Sequence, residues 1–159
     1  MITIIPALDV MKAMTDNNIT STASHDRRKA FHHAIDLKSL CDFDVLLDGI
    51  LYTRINPRLE EEHKKFFENN CRIDSSTVDV PDYCGNIRKS ISWISLSEAK
   101  SRRVIILTSS PEDYVSITSN DIKAIRPEDF IEKVKKAKEW HTSRKFNDLI
   151  DALTAIFFI

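Results

Sequence analysis

Four consecutive aliphatic residues, Val104-Ile105-Ile106-Leu107, are entered through Arg102-Arg103 and left through Thr108-Ser109-Ser110-Pro111-Glu112-Asp113-Tyr114. A run this short cannot cross a bilayer, which takes ~20 apolar residues in a helix. It has no polar residue at alternate positions, so it does not suit a strand with one face in water. It suits the central strand of a parallel sheet covered by helices on both faces. Such sheets place ligands beyond the carboxyl ends of their strands. The abrupt change to hydroxyl and acidic residues therefore marks Thr108, Ser110, Glu112 and Asp113 as candidates for one wall of a pocket.

The rest of the chain supplies neighbours for that strand. Ile2 to Leu8 is apolar and rich in β-branched residues, predicting a first buried strand that ends at Asp9, with helical turns over Val10 to Met14. Asp16 to Ser24 reads as a loop. Between Asp26 and Leu40, Phe31, Ala34, Ile35 and Leu37 share a helical face, with Ser24 or Asp26 available as N-cap. Phe43 to Asp48 predicts a strand closed by an Asp48-Gly49 turn. Asn56-Pro57 signals a helix start, with Glu60, Glu61 and Glu62 in or near its first turns and an end near Asn69.

Asn70 to Tyr83 is polar and predicts an irregular connection, and Asn86 to Lys100 returns to helical spacing through Ile87, Ile91, Ile94 and Leu96. Ile122 to Ile125 predicts another strand, and Pro127-Glu128-Asp129 opens a helix through Phe130, Ile131 and Val134. Phe146, Leu149, Ile150, Leu153, Ile156 and Phe157 predict a last helix within Arg144 to Ile159. This alternation implies an α/β three-layer sandwich with a mostly parallel central sheet of four to five strands. The expected organisation is one domain over residues 1–140 and a C-terminal helix over 141–159, docked on that domain or used for association.

Composition narrows the chemistry. A chain of 159 residues suits one core, and its 23 basic and 24 acidic residues give no overall field for wrapping a polyanion, although a local patch can act where the net charge does not. Cys41, Cys71 and Cys84 are odd in number and have no CxxC spacing, which predicts reduced thiols and a cytoplasmic location. The start of the chain lacks the basic segment and long apolar core of a signal peptide, so no membrane partner is expected. With only Gly49 and Gly85 as glycines, neither a GxGxxG turn nor a Walker loop can be written. His25, His63 and His141 lack HExxH spacing, His32 and His33 are adjacent and cannot share a helical direction, and Ser109-Ser110 lacks a GxSxG elbow.

In a parallel sheet the first strand commonly lies near the middle, which would bring Asp9 to the turn after Leu107. Carboxylates gathered in one pocket suit Mg²⁺ or Mn²⁺, and Glu61 or Glu62 would add a third oxygen donor if its helix leaned over the same edge. The same residues also have structural uses, Asp9 as a helix cap and Glu60 to Glu62 as partners of a helix dipole. The pairs Arg102-Arg103, Lys64-Lys65 and Lys135-Lys136 with Lys133 suit either phosphate contacts or a solvated surface.

Over roughly Ile2 to Lys135 the chain resembles the PIN-domain nucleases, small Mg²⁺-dependent ribonucleases that include many toxin–antitoxin toxins. Ile4-Ile5-Pro6-Ala7-Leu8-Asp9-Val10 is similar to the family's first strand and leading aspartate, and Leu59-Glu60-Glu61-Glu62-His63 to its helix with a metal-associated glutamate. Val104 to Tyr114 resembles the last active-site strand and its acidic turn, and Ile125-Arg126-Pro127-Glu128-Asp129-Phe130 the closing strand, proline, acidic and phenylalanine signature. The resemblance implies Mg²⁺ or Mn²⁺ held by Asp9, Glu62, Glu112 and Asp113, with Asp9, Glu62 and Asp113 catalytic in RNA hydrolysis. It also implies Thr108 and Ser110 as substrate-positioning hydroxyls, and an antitoxin-like protein or a second copy as partner. The chain departs from the pattern at Ser92 and Ser110, where the family places acids. The alternative is therefore a catalytically impaired PIN-like module that binds nucleic acid or a protein. An unrelated phosphate-binding or receiver-like α/β domain is a third reading of the same strand ends.

Overall fold

The computed structural model describes residues 1–16, 21–83 and 85–159. Residues 17–20, the middle of the loop expected over Asp16 to Ser24, and Cys84 lie outside the described residues. Five strands form the sheet: β1 (Ile2–Pro6), β2 (Phe43–Asp48), β3 (Arg72–Asp74), β4 (Arg103–Leu107) and β5 (Ile122–Ile125). Their order is β3-β2-β1-β4-β5, with parallel pairing throughout. The helices are α1 (Leu8–Thr15), α2 (Thr22–Leu40), α3 (Gly49–Ile55), α4 (Glu61–Asn70), α5 (Ile87–Glu98), α6 (Pro127–Thr142) and α7 (Leu149–Phe158).

The continuous apolar runs become the two central strands because both of their faces are covered. All five residues of β1 and the Val104–Leu107 part of β4 are buried. Helix α2 packs on α1 and α6, and α5 packs against β1, β2 and β4, completing a three-layer α/β sandwich. Phe31, Phe67 and Phe130 are the largest fully buried side chains, with Phe31 meeting Phe67 edge-on at 5.6 Å. Phe130 stacks on Phe157 at 5.5 Å, which seats α7 on α6. Among the described residues, no helix is long and apolar enough to cross a membrane.

Two elements were not legible as such. Asp48-Gly49 is not a turn between strands but the start of α3, where Asp48 accepts the Leu51 N–H at 3.0 Å. The same dipeptide serves a turn or an N-cap because a short carboxylate can accept from either backbone arrangement. Gly49 is required there by space, since a Cβ would lie 2.4 Å from the Asp74 carbonyl oxygen. Strand β3 falls inside the stretch expected to be irregular; it has three residues, pairs Leu46–Asp48, and is too short to show a period. Smaller differences concern helix starts. Ser21 rather than Ser24 or Asp26 caps α2, and Asn56-Pro57 opens a single 3₁₀ turn before α4 begins at Glu61.

Candidate functional site

Register builds the site. Pro6 stands opposite Leu107, so the residues after β1 and β4 leave the sheet side by side. The Ala7 N–H donates to the Leu107 carbonyl at 2.9 Å, and Asp9 follows in the first turn of α1. Its Oδ2 accepts the Ser109 N–H at 2.8 Å, which ties the two strand ends together. They form the floor of a cleft of about 580 Å³ whose other walls come from α2, α3 and the start of α5.

Asp9 is not a bare carboxylate. Arg27 enters from α2, donates through Nε to Ser109 Oγ at 2.9 Å, and stands 3.6 Å from Asp9 Oδ2. Both side chains are about seven-tenths covered, so this charge pair is screened less than one at the open surface. Lys12, Arg54 and Arg88 also line the cleft, whereas among the described residues Asp9 and Asp113 are its only carboxylates. Arg54 donates to the Gly85 carbonyl at 2.9 Å, where Gly85 adopts φ +79°, a left-handed conformation that favours glycine. Arg88 Nη1 lies 3.9 Å from Asp113 Oδ1. The cleft therefore carries more positive than negative side chains in a protein of nearly balanced charge.

The hydroxyl residues divide into two kinds. Thr108 is buried, its N–H donates to the Ile125 carbonyl at 3.0 Å, and its Oγ1 accepts the Ser110 N–H at 3.1 Å. Those bonds fix the turn. Ser109 and Ser110 are half-buried on the cleft wall, and the Ser110 carbonyl accepts the Asp113 N–H at 3.0 Å in the 3₁₀ segment Pro111–Ile117. Tyr114 is buried beneath them, and burial, followed by the charge of Asp9, pushes its phenol up to about 12. It stays neutral at physiological pH.

Of the residues expected at a site, Asp9, Asp113, Thr108 and Ser110 come together in this cleft. Glu62 does not join them. It edges a separate depression of about 460 Å³ beside Arg28, His32, His63 and Phe66. Glu112 does not line the cleft, is mostly exposed, and faces Arg126 Nη2 at 3.7 Å. Glu61 is exposed and pairs with Lys64 at 3.5 Å, and Asp82 is exposed on the 3₁₀ turn Pro81–Tyr83. Ser92 is half-buried on α5 and outside the cleft lining.

The cationic residues are what sequence spacing missed. Arg27 and Arg88 reach the cleft from different helices, and only the packed rotation of those helices brings them to one place. Among the described residues, no three His, Cys, Asp or Glu side chains converge to hold a metal ion. Asp9 already accepts an amide and faces a guanidinium, and Asp113 faces Arg88. Asp9 and Asp113 are the cleft residues that would hold Mg²⁺ or Mn²⁺, ions that take one or two carboxylates together with waters and substrate phosphates, and each of the two already faces a guanidinium.

No protein-family model matches the chain, and neither do any of the curated proteins or solved structures.

Proposed function

We propose that this protein is a PIN-like module that holds the phosphodiester backbone of a nucleic acid in the cleft between β1 and β4 by direct contact with cationic side chains. The observation that carries this reading is the pairing of Asp9 with Arg27 and the Ser109 amide in a cleft that Lys12, Arg54 and Arg88 also line. A phosphate entering there gains attraction from Arg27, Arg54, Arg88 and Lys12. Guanidinium groups suit it well because their donors match phosphate oxygens in pairs. The half-buried hydroxyls of Ser109 and Ser110 supply orienting hydrogen-bond groups on the same wall.

Two further features favour the binding module over the metal-dependent ribonuclease. The resembled family gathers further acids beside its leading aspartate, whereas Glu62 and Glu112 lie outside this cleft. Ser92 and Ser110 stand where the resembled family places acids, and serine brings no charge to a divalent ion. The PIN likeness rests on Asp9 after the first strand and on the closing signature, in which β5 ends at Ile125, Pro127 opens α6 and Phe130 enters the core. Fold analogy alone does not assign an activity. The cleft's charge is the stronger support.

The test is binding of a short RNA in EDTA, followed across a salt series. Affinity that survives chelation and falls with salt, with a slope near 0.7 per single-strand phosphate contact, is expected. Mn²⁺ binding that Asp9→Asn abolishes, together with Mg²⁺-dependent cleavage, would restore the ribonuclease.

A further inference from the structure

An exposed aromatic side chain with a second ring and a cation against it offers a π-face for a ligand beside a charged site. Trp93 lies on the outer side of α5 and is 40% exposed, with the Tyr83 ring 6.0 Å away at 50° to it. Lys89, one turn before Trp93, holds its Nζ 5.7 Å from the Tyr83 ring centroid. Leu96, one turn further along, is also exposed. Lys89 and Trp93 thus share one face of α5, with the Tyr83 ring of the preceding 3₁₀ turn against both.

This face continues from the cleft. Gly85, Asn86, Ile87 and Arg88 form part of the cleft wall, and the Asn86 side chain caps α5 by accepting the Lys89 N–H at 3.0 Å. The capped first turn of α5 carries both residues, Arg88 on the cleft wall and Lys89 over the Tyr83 ring. Asp82 is the acidic neighbour on the same 3₁₀ turn as Tyr83, Lys89 is the cation over the Tyr83 ring, and Arg88 on the cleft side faces Asp113.

We propose that Tyr83 and Trp93 form a stacking subsite for an unpaired nucleobase, next to the cleft that takes the phosphates. The proposal rests on the phosphate-binding reading of that cleft. Base-on-aromatic stacking tolerates any base because every base has a π-face, and the adjoining cations hold the backbone that links one base to the next. A protein partner fits less well. Two rings and one leucine fall short of the ~800 Å² per partner that a stable interface buries, and a purely apolar contact would gain nothing from Arg88 and Lys89.

The experiment uses a single-stranded oligonucleotide carrying 2-aminopurine, its duplex form, and inorganic polyphosphate, each titrated in EDTA against the wild type, Trp93→Ala and Trp93→Phe. Both variants change an exposed position, and their thermal midpoints check folding. The expected result is quenching of 2-aminopurine by the wild type and about a tenfold loss of single-strand affinity in Trp93→Ala. Trp93→Phe should retain most of the affinity, the duplex should bind with little response to either change, and polyphosphate binding should be unaffected. Unchanged oligonucleotide affinity and quenching in Trp93→Ala would overturn the stacking subsite while salt-dependent polyphosphate binding left the cleft reading standing. If neither polyphosphate nor oligonucleotide binds, the cleft reading fails and the subsite fails with it. A change in self-association alone, seen by sedimentation, would make this a protein-contact face and overturn the proposal.

Discussion

Asp48 and Asp9 stand at the same edge of the sheet, one as the last residue of β2 and the other just beyond β1, and their surroundings give them opposite uses. Asp48 is fully buried. One oxygen accepts the Leu51 N–H at 3.0 Å, the other accepts the Ser90 hydroxyl, and Thr77 Oγ1 sits 3.0 Å from Ser90 Oγ. These neutral donors leave no path to a ligand and join β2, α3, α5 and the segment holding Thr77. Asp9 instead meets a guanidinium and an amide at the wall of an open cleft. A carboxylate at a strand end becomes structural when neutral donors close over it. It becomes part of a site when charge and solvent reach it.

The largest effect expected from this contrast is on folding. Asp48→Ala removes the α3 cap and leaves the Ser90 hydroxyl without its acceptor, costing about 2–3 kcal/mol in urea unfolding. RNA affinity should be unchanged when measured where the variant is fully folded. Asp9→Asn should show the reverse, altered ligand binding with a nearly unchanged thermal midpoint. A collapse of folding in Asp9→Asn, or a loss of binding in Asp48→Ala, would erase the distinction.

Next in size is the charge of the cleft. Arg27→Ala should weaken RNA binding about tenfold and reduce the salt slope by roughly 0.7, as expected for one lost phosphate contact. With its cationic partner gone, Asp9 should also bind Mn²⁺ more tightly than in the wild type, which calorimetry would show. An Arg27→Ala protein with wild-type RNA affinity would remove Arg27 from the phosphate site.

A smaller effect is expected from pH. Burial raises the Asp48 pKa above its ordinary value of 3.8, against the opposing effect of the Ser90 and backbone hydrogen bonds. The unfolded chain then loses this proton at lower pH than the folded chain. Stability from Asp48 is therefore greatest below 3.8 and declines as pH rises through the raised folded value. Asp48→Asn lacks this decline, so the stability difference between wild type and variant should move in the variant's favour from pH 4 upward and then level off. A difference that stayed flat across this range would show that Asp48 titrates alike in both states.

The sequence made the middle of the fold legible and left its margins and its charges obscure. Ile2 to Pro6 and Val104 to Leu107 announce themselves because burial on both faces demands unbroken apolar runs. Placing them together was enough to bring Asp9 to the turn after Leu107. Strand β3 escaped notice because a short edge strand keeps polar Arg72 and Asp74. Asp48-Gly49 concealed α3 because one dipeptide serves two local structures. Glu62 belongs at the cleft only if its helix leans over that edge, as the PIN resemblance implies, and it does not; its other reading, an acid in a helix N-terminal turn, holds wherever the helix packs. Arg27 and Arg88 carry no local signal. Their role comes from how α2 and α5 rotate against the sheet, which the order of residues does not display.

The cleft is proposed to take phosphates through cationic side chains, with Asp9 already paired to Arg27. The most direct measurement is the anisotropy of a labelled single-stranded RNA in EDTA, titrated over a salt series with the wild type and an Arg27→Ala/Arg88→Ala double variant. The expected result is wild-type binding without divalent ions, weakened progressively by salt, and loss of most of that affinity in the double variant. Binding that appears only when Mg²⁺ or Mn²⁺ is added, and that ignores both arginines, would contradict it.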